Sequence, residues 1–397
     1  MRSGWHTSTL GDVLAVLRNG VNCKQDKSGK GDKISRIESI SDASFDLGRV
    51  GYAELSQRDK ERYRLQEGDI LFSHINSAVH VGKTAVFDSA EPIYHGVNLL
   101  LMRPKDVVTS AYLDHALKYL FQNGYWRSVC KQSVNQASVN QQDISRVQIS
   151  YPKSLPEQQR IVGILDEAFD SIATAKANAG KNLQNARALF DSHLQSVFTQ
   201  RGKGWVVRRI SEIAKHSLGK MLDKAKNKGV PQPYLRNINV RWFTFDLSDL
   251  LQMPFLPQET AKYTAIKGDV LICEGGYPGR AAIWDEDYPI YFQKALHRVR
   301  FHEPEHNKWF VYYLFAQDKS GELRQHFSGT GIQHFTGEVL ARFELPLPPL
   351  SELRRAIARF EELSAETQRF ESVYQQKLAA LEELKKSLLH QAFTGAL

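Results

Sequence analysis

The feature that most constrains the fold is an internal repeat, in which one pattern of residues occurs twice at a shift of about 200 positions. Residues 67–72 and 267–272 both predict a Gly-Asp turn that enters a buried apolar strand. Each copy then continues to a polar loop, residues 133–140 or 328–335, and to a proline-bearing exit strand. So many matches in the same order indicate a duplication, and the chain is predicted to contain two similar globular units.

A long amphipathic helix is predicted after each copy. Beyond the capping-box spacing at residues 154–157, apolar residues recur in alternating steps of three and four as far as Val197. A second run of this kind covers residues 353–388. At 1.5 Å per residue, a helix of about 40 residues is roughly 60 Å long. The spacing is typical of a coiled-coil seam, so we expect the two helices to pair. The predicted seam of the second helix comprises Leu353, Ile357, Phe360, Leu363, Phe370, Tyr374, Leu378, Leu381, Leu384 and Leu388.

The predicted fold class is therefore α/β, with two pseudo-repeated α/β domains separated by two long antiparallel coiled-coil helices. The predicted boundaries are residues 1–153 for the first domain and 154–202 for the central helix, followed by 203–349 for the second domain and 350–397 for the last helix. If the helices are antiparallel, the two domains are expected at opposite ends, related by a pseudo-two-fold axis. That arrangement suits a protein that reads two half-sites on a duplex.

Composition is compatible with a nucleic-acid partner. The formal net charge is +8, and such an excess of cations attracts polyanions. The three cysteines are far apart in the sequence, which argues against a disulfide framework or a structural zinc site and favours a reducing cytoplasm. No run approaches the ~18 apolar residues of a membrane helix. We therefore expect a soluble cytoplasmic protein without a membrane partner.

The sequence lacks the motifs of a DNA methyltransferase and of an ATP-driven motor. There is no Gly-rich cofactor turn with an Asn/Asp-Pro-Pro-aromatic loop, as a methyltransferase needs, and no GxxxxGK[ST] loop to cradle phosphates. His297, His302 and His306 do not have a metal-ligating spacing. The chain is predicted to be non-catalytic, to hold no metal and to depend on partners for chemistry.

Clustered lysines in matching places of the two copies are candidates for phosphate contacts, because positioning a duplex requires cations on the reading face. A solvated loop is the alternative interpretation of the same residues. The candidates are Lys24, Lys27, Lys30 and Lys33 in the first copy and Lys220, Lys224, Lys226 and Lys228 in the second.

Base reading is expected from planar groups that form paired hydrogen bonds. The candidates are Arg36, Asn76, Asn135, Gln136 and Asn140 in the first copy and Arg236, Asn237, Asn239, Arg280 and Gln333 in the second. His74, Tyr277 and His334 lie in the same loops and complete the predicted set. For the Gly-rich loop at residues 275–280, turn chemistry and close backbone approach to DNA both stay open.

Four features of the sequence are typical of one protein family. They are Leu-Pro-Glu-Gln-Gln-Arg-Ile-Val at residues 155–162, Leu-Pro-Leu-Pro-Pro-Leu at residues 345–350, the paired Gly-Asp strands and Gln-Ala-Phe-Thr-Gly at residues 391–395. Through them, and over its whole length, the chain resembles the specificity subunits of type I restriction-modification systems. The resemblance implies that the globular units are target-recognition domains and that the helices are conserved regions that dock methyltransferase subunits. One departure is visible, since residues 351–355 differ from the first opening at residues 157–160.

The resemblance also implies partners. Two methyltransferase subunits using S-adenosylmethionine and two restriction subunits using ATP and Mg²⁺ are expected to join this chain, which itself would hold no cofactor. Phe169, Phe198 and Phe393 are candidates either for docking those partners or for packing on the chain's own globular units.

The predicted function is that of a DNA-specificity subunit in phage defence. We expect a bipartite, asymmetric DNA site with a non-specific spacer and half-site centres about one helical turn apart, ~34 Å. Two alternatives stay open: a coiled-coil scaffold that binds proteins or RNA, and a specificity subunit of a methylation-only complex without a nuclease.

Overall fold

The computed structural model describes residues 4–40, 44–133, 136–223, 227–331 and 333–397. Contacts within the chain divide it into two units. Unit 1 comprises residues 1–179 and 375–397, and unit 2 comprises residues 180–374. Each unit thus combines one globular region with one half of each long helix. The four-part division by sequence order stays a prediction.

Unit 1 is a mixed α/β structure of short elements. Its strands are β1 (Trp5–Thr9), β2 (Leu14–Asn19), β3 (Asp32–Ile34), β4 (Gly51–Ala53), β5 (Ile70–Phe72), β6 (Ile75–Asn76), β7 (Thr84–Val86), β8 (Ile93–Tyr94), β9 (Leu100–Pro104), β10 (Lys131–Ser133), β11 (Gln136–Ser138) and β12 (Gln148–Pro152). Its helices are α1 (Leu10–Val13), α2 (Gln57–Tyr63), α3 (Ser110–Gln122), α4 (Tyr125–Val129), α5 (Gln141–Ser145), the first half of α6 (Leu155–Thr199) and the second half of α11 (Leu350–Thr394).

Unit 2 contains a comparable set of short elements. Its strands are β13 (Val206–Arg209), β14 (Ala214–Leu218), β15 (Val230–Leu235), β16 (Val240–Arg241), β17 (Thr244–Phe245), β18 (Leu251–Phe255), β19 (Thr264–Ala265), β20 (Val270–Cys273), β21 (Ala281–Ile283), β22 (Ile290–Phe292), β23 (Leu296–Phe301) and β24 (Glu344–Leu347). Its helices are α7 (Ile210–Ile213), α8 (Thr260–Tyr263), α9 (His306–Ser320), α10 (Gly337–Arg342), the second half of α6 and the first half of α11 (Leu350–Thr394).

The central sheets of the two units have the same topology. The order is β2-β9-β5-β7 in unit 1 and β14-β23-β20-β21 in unit 2, and neighbouring strands are antiparallel in both. The strand after each predicted Gly-Asp turn is fully buried, at β5 and at β20. The register joins Ile70 to Met102 in one sheet and Val270 to Val299 in the other. The duplication seen in the sequence is therefore a duplication of structure, and the predicted fold class is confirmed.

Both long helices are present and pair antiparallel inside each unit. In unit 1, Arg160 donates to the carbonyl of Leu397, and Lys176 forms an ion pair with Glu382. In unit 2, Arg187 pairs with Glu371, and the rings of Phe198 and Phe360 lie 5.9 Å apart. Residue numbers fall along α11 as they rise along α6, which defines the antiparallel direction. The seam predicted for α6 is buried or half-buried at each of its positions.

The seam predicted for α11 needs a correction at two positions. Phe370 and Leu384 are exposed on the helix surface, whereas the half-buried positions nearby are Thr367 and Lys385. Lys385 fits there because its ammonium group lies 4.8 Å from the ring centroid of Phe169. The apolar pattern identified the wrong residue near Lys385 because a long polar side chain can cover an apolar surface with its methylene groups.

The ends of the helices pack on the globular regions of their own units. Phe393 contacts the rings of Tyr112 and Tyr119, and Phe198 contacts those of Trp309 and Tyr313. These contacts support the packing interpretation of the two phenylalanines rather than partner docking.

Candidate nucleic-acid interface

In unit 1 the two predicted loops lie side by side. Strand β6, which follows the Gly-Asp strand, pairs with β11 through Asn76–Ala137 and Ile75–Ser138. The N–H of Val139 donates to the carbonyl of His74 at 2.9 Å. An open depression between the loops is lined by residues that include His74, Asn140 and Gln141. Two segments that are more than 50 positions apart in the sequence thus form one polar surface.

Unit 2 brings the corresponding loops together in the same way. Gly275 and Ser328 both form bridges with His334, and the N–H of Phe335 donates to the carbonyl of Glu274 at 2.7 Å. Gln333 is exposed beside this contact. Because the pairing is repeated, we treat the joined loops as the candidate interface in each unit.

A third segment joins the interface in unit 2. Asn237 donates from Nδ2 to the carbonyl of Gly275 at 3.0 Å, and Arg280 donates from Nη2 to the carbonyl of Asn237 at 3.0 Å. The Arg280 guanidinium lies 4.1 Å from the ring centroid of Tyr277, a cation–π contact. Asn237, Tyr277, Arg280 and His334 therefore share one surface.

The Gly-rich loop of unit 2 is explained by its own turn. Gly276 has a φ of +79°, and a Cβ there would lie 2.3 Å from Nδ2 of Asn237. A side chain at this position would displace the bond that ties Asn237 to the loop. Turn chemistry accounts for this glycine, whereas close approach of DNA to the loop stays a prediction.

Two predicted readers use their side chains to hold turns and helix ends of the protein itself. Asn239 is buried, accepts from the N–H of Arg236 and donates to the carbonyls of Asp246 and Asp249. Asn140 caps α5 by accepting from the N–H of Asp143 at 2.7 Å. Burial excludes Asn239 as a base reader, whereas base reading by the exposed Asn140 stays a prediction.

The remaining readers are more accessible. Gln136 is exposed, and Asn76 is half-buried with Nδ2 at 3.4 Å from Oγ of Ser73. Arg36 and Arg236 occupy equivalent turns, and each is paired with an acid, Glu38 at 2.8 Å and Asp249 at 2.7 Å. Asn135 lies outside the described residues.

The predicted phosphate contacts divide into exposed and buried lysines. Lys24, Lys30 and Lys228 are exposed, Lys27 pairs with Glu38 at 3.4 Å, and Lys33 pairs with Glu91. Lys224 and Lys226 lie outside the described residues.

Lys220 is buried, and the structure assigns it a different role from phosphate contact. Its Nζ donates to Oε2 of Glu259 at 2.6 Å and to the carbonyl of Pro254 at 2.9 Å. The equivalent position in unit 1 is the buried Val21, since both residues form the same parallel bridge, to Gln293 and to Gly96. Lys220 is therefore a structural lysine.

A lysine that the sequence patterns did not single out lies at the interface instead. Lys294 is exposed, and its N–H donates to the carbonyl of Lys220 at 2.9 Å. It was missed because it stands outside the basic stretches. Its position just after the buried strand β22 is the only signal in the sequence.

His74 is held in its neutral form. Burial lowers the pKa of this imidazole to about 4, because the charged ring would lose its hydration. Its Nδ1 has no hydrogen-bond partner among the described residues. Within that same part of the chain, no group of three or more His, Cys, Asp or Glu residues is placed to hold a metal ion.

Comparison with known families agrees with this geometry. The family described as "Type I restriction modification DNA specificity domain" matches residues 2–182 and again residues 202–382. The chain belongs to this family. The two matches follow the structural repeat, so each globular region with the start of its following helix is one specificity domain.

Named relatives of this specificity-domain protein are specificity subunits. It is 28% identical over 415 residues to the putative type I restriction enzyme MjaX specificity subunit of Methanocaldococcus jannaschii, covering 98% of this chain and 93% of that protein. It is 26% identical over 200 residues to the EcoKI specificity subunit of Escherichia coli, covering 48% and 41% of the two chains.

Solved structures show the same fold. A chain from a study of complex assembly and conformational transition of the type I R-M system matches with a TM-score of 0.78 at 17% identity, covering 100% of this chain and 99% of that one. The HsdS subunit of Thermoanaerobacter tengcongensis matches with a TM-score of 0.64 at 18% identity, covering 100% and 98%. Across the described residues of this specificity-domain protein, no helix combines the length and apolar character needed to cross a membrane.

Proposed function

We propose that this chain is the DNA-specificity subunit of a type I restriction-modification complex and that it reads a bipartite, asymmetric site with a non-specific spacer. The observation that carries the proposal is the tandem family match over two globular regions, each with joined polar loops. One specificity domain would read each half-site. The two loop surfaces differ in sequence, which favours two different half-sites.

The chain is proposed to act in the cytoplasm without catalysing a reaction itself. Its sequence lacks the cofactor and nucleotide motifs named above, so partners would supply the chemistry. Two methyltransferase subunits using S-adenosylmethionine and two restriction subunits using ATP and Mg²⁺ are the proposed partners. The paired long helices offer the extended surface that such subunits require.

Contacts with DNA would divide by chemistry. Exposed lysines such as Lys30, Lys228 and Lys294 would hold phosphates and set the register of the duplex. Planar groups such as Gln136, Arg280 and Gln333 would reach base edges. The position of the planar groups on the joined loops supports this division.

The test is to co-express the chain with its methyltransferase subunit in a methylation-free host and to map methylated adenines by long-read sequencing. One bipartite motif with a fixed spacer is the expected result. Absence of any motif, in a complex shown to be assembled and loaded with cofactor, would favour the scaffold alternative. Adding the restriction subunit and measuring cleavage of unmodified DNA separates the restriction system from a methylation-only complex.

A further inference from the structure

The interface of unit 2 exposes apolar side chains that the base-reading hypothesis does not use. Ile238 is 46% exposed, Tyr277 63%, Met221 63% and Leu222 47%. Single exposed apolar residues are common on protein surfaces, but a group of them on one face indicates a contact.

Backbone hydrogen bonds show that these residues lie on neighbouring segments. The N–H of Lys294 donates to the carbonyl of Lys220, and the N–H of Gln293 donates to the carbonyl of Leu235. The N–H of Glu274 donates to the carbonyl of Ala295 at 2.8 Å. The segments that precede Met221, Ile238 and Tyr277 are thus tied to one strand connection, residues 293–295.

Unit 1 is polar at the equivalent positions. The turn that contains Ile238 corresponds to the turn that contains Glu38, because Arg36 N–H donates to Oγ of Ser39 and Arg236 N–H donates to Oδ1 of Asn239. Val21 and Lys220 form the same parallel bridge in the two units, so the residues that follow them, Asn22 and Met221, are also equivalent. Asn22 is exposed. The duplicated scaffold therefore presents an acid and an amide in one copy and two apolar side chains in the other.

Polar readers in the same part of unit 2 are largely engaged. Nδ2 of Asn237 and of Asn239 donate to backbone carbonyls, and Arg236 pairs with Asp249. Ile238 stands between the two asparagines in the sequence, and its side chain is exposed. The chemistry that remains for this turn is apolar contact.

We infer that unit 2 recognises the 5-methyl group of thymine through Ile238, supported by Tyr277. The methyl group is the apolar feature that a base pair presents in the major groove, and apolar side chains distinguish it from the other base edges. Nearby Lys294 is placed to hold the adjacent phosphate. The inference rests on the proposed function and adds the class of base contact for one half-site.

The test uses the complex of the full chain with its methyltransferase subunit, after the motif has been mapped. Duplexes carry deoxyuridine in place of thymidine at single positions, which removes the methyl group and keeps base pairing. The expected result is a loss of affinity of about fourfold at one or more positions in one half-site only. That factor corresponds to about 0.8 kcal/mol for one buried methyl group.

Variants assign the effect to the residue. Ile238→Ala is expected to bind thymine and uracil duplexes equally, Ile238→Val to keep most of the discrimination, and the matched control Glu38→Ala to leave it unchanged. If Ile238→Ala does not fold, two measurements still test the inference. They are the uracil comparison on the unaltered chain and the same comparison on Ile238→Val.

Several outcomes would overturn the inference while the proposed function stands. The first is a mapped motif in which uracil lowers the affinity equally in both half-sites or in neither. The second is a motif without thymine in either half-site. The third is an Ile238→Ala variant that still distinguishes thymine from uracil as the unaltered chain does. Weaker assembly with the methyltransferase subunit at an unchanged motif would show that the apolar face docks a protein. Failure of the proposed function is distinct, because no motif would be found at all.

Discussion

Asp69 accepts two hydrogen bonds from Arg103, from Nε at 2.6 Å and from Nη2 at 2.8 Å. The carboxylate belongs to the Gly-Asp turn and is fully buried, and it also accepts from the N–H of Gln66. Asp269 and Arg300 repeat the arrangement in unit 2 at 2.7 Å. The duplicated Gly-Asp pattern therefore marks a buried carboxylate, and its ion pair with a partly exposed arginine joins the turn to the central sheet.

Replacing this carboxylate should destabilise the fold. Asp69→Asn is expected to lower the free energy of unfolding by about 3 kcal/mol, because it leaves a partly buried guanidinium without its counter-charge. Glu38→Gln is the control, since its ion pair is exposed and such pairs contribute about 0–1 kcal/mol. Urea denaturation of both variants measures the difference, and equal losses would contradict the prediction.

The start of α6 depends on one buried amide. Gln158 accepts from the N–H of Thr109 and donates to the carbonyls of Val107 and Pro152, all at 2.9–3.0 Å. Gln158→Ala should cost about 2 kcal/mol, because three backbone groups lose their partner. The exposed neighbour Gln159→Ala should change stability by less than about 0.5 kcal/mol. Thermal unfolding measures the stability of both variants. An unchanged stability of Gln158→Ala would show that water replaces the amide.

Stability should fall as the pH falls below the ordinary pKa of histidine. The folded pKa of His74 is lowered to about 4 by burial, so between pH 6.5 and 4 the unfolded chain binds a proton that the folded chain does not. The loss from this group between pH 7 and 5 is about 2 kcal/mol. The unfolding free energy is measured as a function of pH. His74→Gln should reduce its change between pH 7 and 5, whereas the exposed control His80→Gln should leave that change as it is.

Exposed and buried lysines should behave differently. Lys228→Gln is expected to weaken DNA binding without changing the motif and to reduce the slope of log affinity against log salt by about one. Lys220→Gln should instead lower the unfolding temperature, because Glu259 loses its partner. A salt titration with a fluorescent duplex and a melting curve separate the two, and a motif change in Lys228→Gln would count against phosphate contact.

Arg280 provides a test of base reading. Arg280→Lys keeps the charge but loses the planar guanidinium group. The free-energy discrimination between bases at one position of the motif should therefore fall by about 1–3 kcal/mol, while overall affinity stays similar. Arg324→Lys, elsewhere in unit 2, is the matched control. Methylated-site sequencing gives the base preference at each position, and an unchanged motif in Arg280→Lys would remove this residue from the readers.

The repeat, the two long helices and the family were accessible from the sequence because they are linear patterns. Gly-Asp turns recur at a constant offset, and apolar side chains recur at the spacing of a helix face. The same reasoning failed at Phe370 and Leu384, where Lys385 and Thr367 occupy the half-buried positions instead. A periodic sequence pattern identifies the apolar face of a helix. The surface that packs against this face determines which residues at its borders are buried.

The roles of individual polar residues were decided only by tertiary structure. Lys220 and Lys228 look alike in sequence, yet one is buried against Glu259, 39 positions away, and the other is exposed. Asn239 and Gln333 are both amides, but Asn239 is buried against the carbonyls of a folded turn, whereas Gln333 is exposed. The physical reason is that hydrogen-bond partners and burial come from segments distant in the chain, so the availability of a side chain for DNA is a property of the fold.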